Sequence, residues 1–234
     1  MPALIRAFIQ ARMSSDRFPG KVLAPLRGQP LVRHVVDGVQ RALSGAVETV
    51  VLTSVEPSDD PLAAYLEHLG IRVFRGPLED VFARFRLCLA LYPCDHFLRL
   101  CADSPCVNHN VIRAVTAQTV AGEYDLVTTT LPRSFAGGQN AELVRAESFL
   151  AIDRGLLTRD DCEHLTAFYY RHPSRFRIRN IGSGHVGLNG SSVAVDTMED
   201  LDRLEQLPED EVRFLTEERH RDLVAGVLQE EPAC

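Results

Sequence analysis

Positive charge in this 234-residue chain comes almost wholly from arginine: one lysine, Lys21, stands among 25 basic side chains. Long apolar stretches are missing too. No run approaches the roughly 20 residues needed to span a bilayer, so no membrane partner is expected. The six cysteines make no C-x-x-C pair and no metal-ligand spacing. Several lie inside apolar runs, where a free thiol behaves as a small hydrophobe, and they read as structural. Nor is there a basic excess. The net charge of −7 argues against a general nucleic-acid binder, so any anionic ligand must be held by local positive charge. Internal repeats and low-complexity segments are absent.

What is present is an ordinary globular composition, 45% hydrophobic and 24% charged, long enough to bury one full core. The first apolar run starts without the basic, apolar and small-residue layout of a secretory signal, and the expected location is the cytoplasm. Apolar runs then alternate with helix-period segments. Residues 3–9, 48–53, 71–74, 96–101 and 124–130 read as strands. Residues 30–43, 60–69, 78–92 and 108–120 read as helices, the first with Pro30 near its start and the second ending at Gly70. This alternation implies an α/β fold with a mostly parallel sheet covered on both faces. After Leu131 the pattern loosens into a small excursion. It comprises a loop at 132–139, a strand at 141–144, helices near 146–153 and 160–171, a strand at 176–181 and a last strand at 192–196. Thr197 with Asp200 has the spacing of a capping pair. Residues 1–207 are expected to form one domain, with 208–234 as a charged helical tail.

The lone lysine closes Ala11-Arg12-Met13-Ser14-Ser15-Asp16-Arg17-Phe18-Pro19-Gly20-Lys21, directly after the first strand. Open α/β sheets bind ligands outside the carboxyl ends of their strands. Two arginines, two serines, a Pro-Gly turn and a compact ammonium there have the makeup of a polyanion-binding loop. A Walker A loop is excluded, because its first glycine is missing and Val22 follows the lysine. In such a loop Lys21 is expected to be exposed. Gly182, Gly184 and Gly187 match G-x-G-x-x-G literally, yet a dinucleotide fingerprint opens a helix at once. This run leads instead towards a strand and reads as a loop.

Asp103 and Asp196 end strands on the same edge as the first loop. Two carboxylates with phosphate oxygens suit Mg²⁺; singly, each is equally well explained as a turn or helix-start residue. Asn140 and Glu142 alternate on a short strand, and Glu163 and His164 are expected to open a helix. A pocket for a hydroxylated substrate and a set of solvated residues explain these four equally well. Arg75 and Asp80 follow the third strand, again on the ligand edge.

These segments resemble the nucleotide-sugar cytidylyltransferases of the spore-coat polysaccharide type, and more distantly the KDO and acylneuraminate cytidylyltransferases. The resemblance runs from Ile5 to about Leu207 and is most specific from Ile9 through Leu23. Further matches are Gly76-Pro77-Leu78-Glu79-Asp80-Val81, Arg99-Leu100-Cys101-Ala102-Asp103-Ser104-Pro105, Glu163-His164-Leu165-Thr166 and Val195-Asp196-Thr197-Met198-Glu199-Asp200-Leu201. It implies a Rossmann-like, GT-A-like nucleotidyltransferase fold, usually a homodimer. It also implies an enzyme that uses CTP and Mg²⁺ to make a CMP-linked acidic sugar of the 3-deoxy-2-ulosonic acid type, releasing pyrophosphate. On this resemblance Arg12 and Lys21 would hold the triphosphate and act with Asp103 in catalysis. Ala11, Ser14, Ser15 and Arg17 would shape the loop, with Arg75 and Asp80 also on the nucleotide side. Asp103 and Asp196 would bind metal, and Asn140, Glu142, Glu163 and His164 would face the small-molecule acceptor.

Four residues at three sites depart from the family pattern. Cys101-Ala102 stands where a small polar residue or Gln followed by Gly is usual, Asn140 where Asp is usual, and Met198 where Pro is usual. The first two bear on the acceptor. A phosphonate acceptor and a non-catalytic nucleotide-binding pathway protein are the rival readings. A GT-A glycosyltransferase ranks lower, as no Asp-x-Asp triplet follows a strand.

Overall fold

The computed structural model describes residues 3–121, 124–185 and 187–223. Its strands are β1 (Ile5–Gln10), β2 (Pro25–Leu26), β3 (Gln29–Pro30), β4 (Glu48–Ser54), β5 (Arg72–Gly76), β6 (His96–Cys101), β7 (Leu126–Thr128), β8 (Glu142–Arg145) and β9 (Ile178–Asn180). Its helices are α1 (Leu31–Ala42), α2 (Asp60–His68), α3 (Val81–Leu91), α4 (His109–Ala117), α5 (Ala146–Leu150), α6 (Arg159–Glu163), α7 (Ala167–Arg171), α8 (Met198–Glu205) and α9 (Glu209–Arg213). Among the described residues no helix is long and apolar enough to cross a membrane.

β1 sits inside the sheet because it is apolar on both faces. Side chains alternate along a strand, so Ala7 and Ile9 pack with Val35, Val39, Ile112 and Val115 of α1 and α4. Phe8 points the other way, into Phe82, Phe85, Phe97, Phe149 and Phe168. The Phe8 and Phe97 rings stack at 5.4 Å, and Phe149 meets Phe97 edge-on at 5.4 Å. Helices therefore cover both faces of a seven-stranded sheet ordered β5-β4-β1-β6-β8-β7-β9. Only β8 runs against its neighbours, inserted antiparallel between β6 and β7. That insertion sets Glu142 opposite both Arg99 and Thr128, bringing residues far apart in the chain abreast on three strands.

Two expectations after Leu131 are corrected. The helix over 160–171 is broken at residues 164–166: Leu165 turns into the aromatic core, and Thr166 Oγ1 donates to Glu142 Oε1 at 2.9 Å. Glu163 thus ends α6, and no helix opens at Glu163-His164. Residues 192–196 form no strand. Val193 N–H donates to Gly137 O and Val195 N–H to Asp103 O, so the segment's bonds go to two separate loops rather than to one ladder. Thr197 and Asp200 do form the reciprocal capping box of α8. The stretch with the literal G-x-G-x-x-G leads into a 3-10 turn, Leu188–Gly190, with Val186 outside the described residues.

The tail, described as far as Leu223, docks through buried amides. Asn108 Nδ2 donates to Leu215 O at 2.6 Å and Arg219 O at 2.9 Å, and Gln139 Nε2 donates to Leu215 O at 3.1 Å. The part of the expected helical tail over 224–234, including Cys234, lies outside the described residues. His220 follows in left-handed backbone, φ 68°, only 4% exposed, its ring against Phe135 at 4.9 Å and His185 at 5.4 Å. Burial, reinforced by His185 and Arg219, pushes its pKa down to about 4 from 6.5.

His220 thus stays neutral in the folded chain at a pH where the unfolded chain binds a proton. Stability is expected to fall as pH drops from about 6.5 towards 4, by up to roughly 3 kcal/mol from this group, and to level off below. Urea unfolding at pH 7 and pH 5 should show a smaller difference for His220→Asn, since Asn tolerates left-handed backbone. An unchanged difference in the variant would assign the titration to other groups.

Candidate active site

The first loop leaves β1 under tight backbone control. Ala11 N–H donates to Leu52 O at 3.0 Å, and the loop folds back so that Gly20 N–H reaches Met13 O at 2.7 Å. Gly20 has φ 78°, a left-handed conformation that strains any residue with a Cβ. A second anchor comes from Asp59, which is fully buried. Its Oδ1 accepts from Met13 N–H at 2.7 Å, and its Oδ2 accepts from Ser54 N–H at 2.9 Å and from the Ser54 hydroxyl. Burial opposes the Asp59 charge, but the bonds from Ser54 and Met13 outweigh it and hold the pKa below the usual aspartate value. In sequence Asp59 is indistinguishable from a helix N-cap before α2, and it stands at that position without capping it.

Lys21 is not exposed. It opens the 3-10 turn Lys21–Leu23 and is 7% accessible. Its Nζ donates to Asp103 Oδ2 at 2.9 Å, Asp196 Oδ1 at 2.9 Å and Val195 O at 2.8 Å. An ammonium has three N–H groups, and all three are satisfied here; a planar guanidinium could not cap such a tripod. Burial works against the charge, and the two aspartates more than offset it, leaving the Lys21 pKa above its ordinary value. Arg17 adds a second cation, 3.0 Å from Asp196 Oδ1. The aspartates arrive from distant segments that are tied together. Ala102 N–H bonds Gln10 O at the end of β1, and Val195 N–H bonds Asp103 O.

Two cavities meet at this ion cluster. One, of about 540 Å³, is lined by Ala11, Arg12, Ser15, Arg17 and Lys21. The other, of about 390 Å³, is lined by Asn140, Glu142, Thr166 and Tyr170. Both volumes suit a small ligand. Cys101, Asp103, His164 and Asp196 line both. In the second cavity Glu142, 3% exposed, is held by Arg99 Nη1 at 2.9 Å, by Thr166 and by the Tyr170 hydroxyl. Arg99 also reaches Gln10 Oε1 at 3.2 Å. Burial and then Glu142 push the Tyr170 phenol upward, so it stays a donor. Asn140 lines this cavity, and its Oδ1 is buried with no partner among the described residues. Nearby, Gly138 has no room for a side chain: a Cβ would lie 2.5 Å from Ala194 N.

Other expected residues fall elsewhere. Glu163 is exposed and lines neither cavity. Ser14 does not line the loop cavity, and its Oγ is buried without a partner. Arg75 is occupied by Ser54 O at 2.9 Å, Glu56 O at 3.0 Å and Asp60 at 2.6 Å. Asp80 caps α3 through Ala83 N–H at 2.7 Å and pairs with Arg154. Sequence alone does not single out Arg84, which is fully buried and donates to Pro77 O and Leu78 O, each at 2.7 Å from Nη2. It braces the segment that follows β5. Burial drives its pKa down to about 10, against the pull of Asp59 and with the push of Arg12.

The chemistry of the donor set fits a hard divalent cation. Asp103 and Asp196 converge on one point, each has one oxygen that Lys21 does not use, and among the described residues no third His, Cys, Asp or Glu joins them. Mg²⁺ is commonly bound by one or two carboxylates, with phosphate oxygens and water completing its shell.

The profile of a family described as cytidylyltransferase matches residues 6–227. The spore coat polysaccharide biosynthesis protein SpsF of Bacillus subtilis (strain 168) is 31% identical over 176 residues, 73% of this chain and 72% of that protein. A cytidylyltransferase structure from Leptospira borgpetersenii superposes with a TM-score of 0.82 at 22% identity, covering 99% of both chains. A CMP:2-keto-3-deoxy-manno-octonic acid synthetase complexed with CTP superposes at 0.68 and 15% identity, over 89% of this chain and 100% of the other. At these identities the two structures establish the shared nucleotidyltransferase fold. With a profile that spans nearly the whole chain and the SpsF match beside it, this protein belongs to the cytidylyltransferase family.

Proposed function

We propose that the protein transfers CMP from CTP to an acidic sugar of the 3-deoxy-2-ulosonic acid type, with Mg²⁺, releasing pyrophosphate. The observation that carries this reading is the meeting of two separate cavities at one pair of aspartates. A group transfer between two ligands needs that layout: a donor on one side, an acceptor on the other and the reacting atoms where they join.

The loop cavity is the donor side. Lys21 and Arg17 together balance Asp103 and Asp196, so the cluster is nearly neutral, while Arg12 lines the cavity without an ion-pair partner among the described residues. Arg12 is therefore the group free to meet a triphosphate. The Asp59 carboxylate, accepting from Met13 N–H, keeps the loop ready for it, which avoids an ordering cost on binding. Bound by Asp103 and Asp196, Mg²⁺ would neutralise charge at the α-phosphate.

In the reaction a hydroxyl oxygen of the acceptor forms a bond to the α-phosphorus. The bond from that phosphorus to the oxygen bridging to the β-phosphate breaks. Pyrophosphate leaves with the electron pair and the hydroxyl proton passes to solvent. Little covalent work falls to the protein, and positioning with charge stabilisation does most of the rest. Lys21 holds the two carboxylates convergent, and Arg12 stabilises the departing pyrophosphate. On the acceptor side the Thr166 and Tyr170 hydroxyls already donate to Glu142, and Asn140, whose Oδ1 has no partner among the described residues, is the group left for a hydroxylated molecule.

The direct test is pyrophosphate release by the purified protein given CTP, Mg²⁺ and a panel of 3-deoxy-2-ulosonic acids. Release is expected only when an acceptor is present, lost with EDTA and restored by excess Mg²⁺. No release with any of these acids sinks the reading.

Lys21→Met should lower turnover by about 10²–10³-fold, the scale of losing one charge-stabilising group. Because Lys21 is buried between two carboxylates, the variant should also lose about 2 kcal/mol of stability. That is below the roughly 3–5 kcal/mol of a fully buried pair, since both aspartates keep part of their hydration. Thermal unfolding and steady-state rates measured together check both halves.

Asp59→Asn puts an NH₂ where the loop and the end of β4 present donors. A tenfold rise in the KM for CTP is expected, with about 1–3 kcal/mol lost in urea unfolding. An unaltered KM would mean that the loop is ordered without Asp59.

A further inference from the structure

The acceptor cavity contains a cation that its own walls leave unneutralised. Arg99 is spent on Glu142 at 2.9 Å, and His164 lies 3.6 Å from Asp160. Glu142 is consumed in turn, and Asp103 and Asp196 are held by Lys21 and Arg17. Arg133 lines the same cavity, is exposed, and its guanidinium has neither hydrogen bond nor ion pair among the described residues. It does not line the loop cavity.

Its backbone, by contrast, is fastened on both sides. Asn180 Oδ1 accepts from Leu131 N–H at 2.9 Å, and Asn180 Nδ2 donates to Pro132 O at 3.2 Å. Ser134 Oγ accepts from Ser183 N–H at 2.9 Å, and Ser134 O accepts from the Ser183 hydroxyl at 3.0 Å. A free guanidinium on a fixed base, at the wall of a cavity whose other charges are paired, is built to receive an anion. Its planar fork suits a carboxylate or a phosphonate.

We propose that Arg133 selects the acceptor by binding its acidic group. This rests on the reading of this cavity as the acceptor side. Selection follows from the surroundings: a neutral acceptor would leave the guanidinium with water alone, whereas an anion gains a charge-assisted pair at a site screened on one side by protein.

The experiment compares Arg133→Gln and Arg133→Lys with the wild type by pyrophosphate release, using 3-deoxy-manno-octulosonate, its methyl ester and 2-hydroxyethylphosphonate as acceptors. Arg133→Gln should raise the KM for the acid about 10- to 100-fold, with kcat within about threefold and the KM for CTP unchanged. Arg133→Lys should fall between, and the ester should be used equally poorly by all three proteins. A KM for the acid that does not move, or an equal rise for acid and ester, overturns the role of Arg133. Wild-type turnover with the phosphonate alone overturns the sugar-acid reading, and the same KM comparison on the phosphonate then decides Arg133. Turnover with neither acid overturns both.

Discussion

The ammonium of Lys21, shared between Asp103, Asp196 and the carbonyl of Val195, is the contact on which the geometry of this cleft depends. It joins the loop after β1, the end of β6 and the segment before α8, alongside the Arg17–Asp196 ion pair and the backbone bonds from Ala102 to Gln10 and from Val195 to Asp103. Without a cation between them, two partly buried aspartates would repel each other and take water, and the boundary between the two cavities would open. The three-fold donor geometry explains why a lysine persists in a chain otherwise charged by arginine. Burial opposes the ammonium while paired carboxylates stabilise it, and the balance keeps it charged.

Around that cluster the fold arranges supports of two kinds. On the loop side, Asp59 and Arg84 act from behind: one holds Met13 and Ser54, the other holds Pro77 and Leu78, and both are fully buried. Across the cleft the support is the reversed strand β8. Its antiparallel register sets Glu142 against Arg99, and Tyr170 and Thr166 close over the pair. The tail braces the same side from further out, since Gln139, next to Asn140, donates to Leu215 O. Asp59, Arg84 and Gln139, which line neither cavity, thus fasten segments next to those that do.

Much of this was legible in the residues. The alternation of apolar runs and helix-period segments up to Leu131 anticipated the parallel part of the sheet, with β6 at the expected boundaries. The capping spacing of Thr197 and Asp200 located α8. Periodicity failed where tertiary contacts override local preference. Thr166 leaves helical geometry to reach Glu142, and residues 192–196 satisfy their N–H groups from two loops. Arg75 and Asp80 sit at and just beyond the carboxyl end of β5, but they line neither cavity and their side chains are engaged by Asp60 and Arg154. No spacing rule could tell a ligand-facing arginine from one that braces a turn.

The order of the residues alone was enough for the layered α/β class, the loop after the first strand and the chemical types gathered at the carboxyl edge of the sheet. Those follow from hydrophobic period, turn residues and charge, which are local properties. It took the folded chain to show that Lys21 is buried rather than exposed, that Asp103 and Asp196 share it, and that Arg133 has no partner among the described residues at the wall of the second cavity. Each of these depends on which charges meet across tens of residues of chain. Pairing of that kind is set by strand order and register, and no local pattern encodes it.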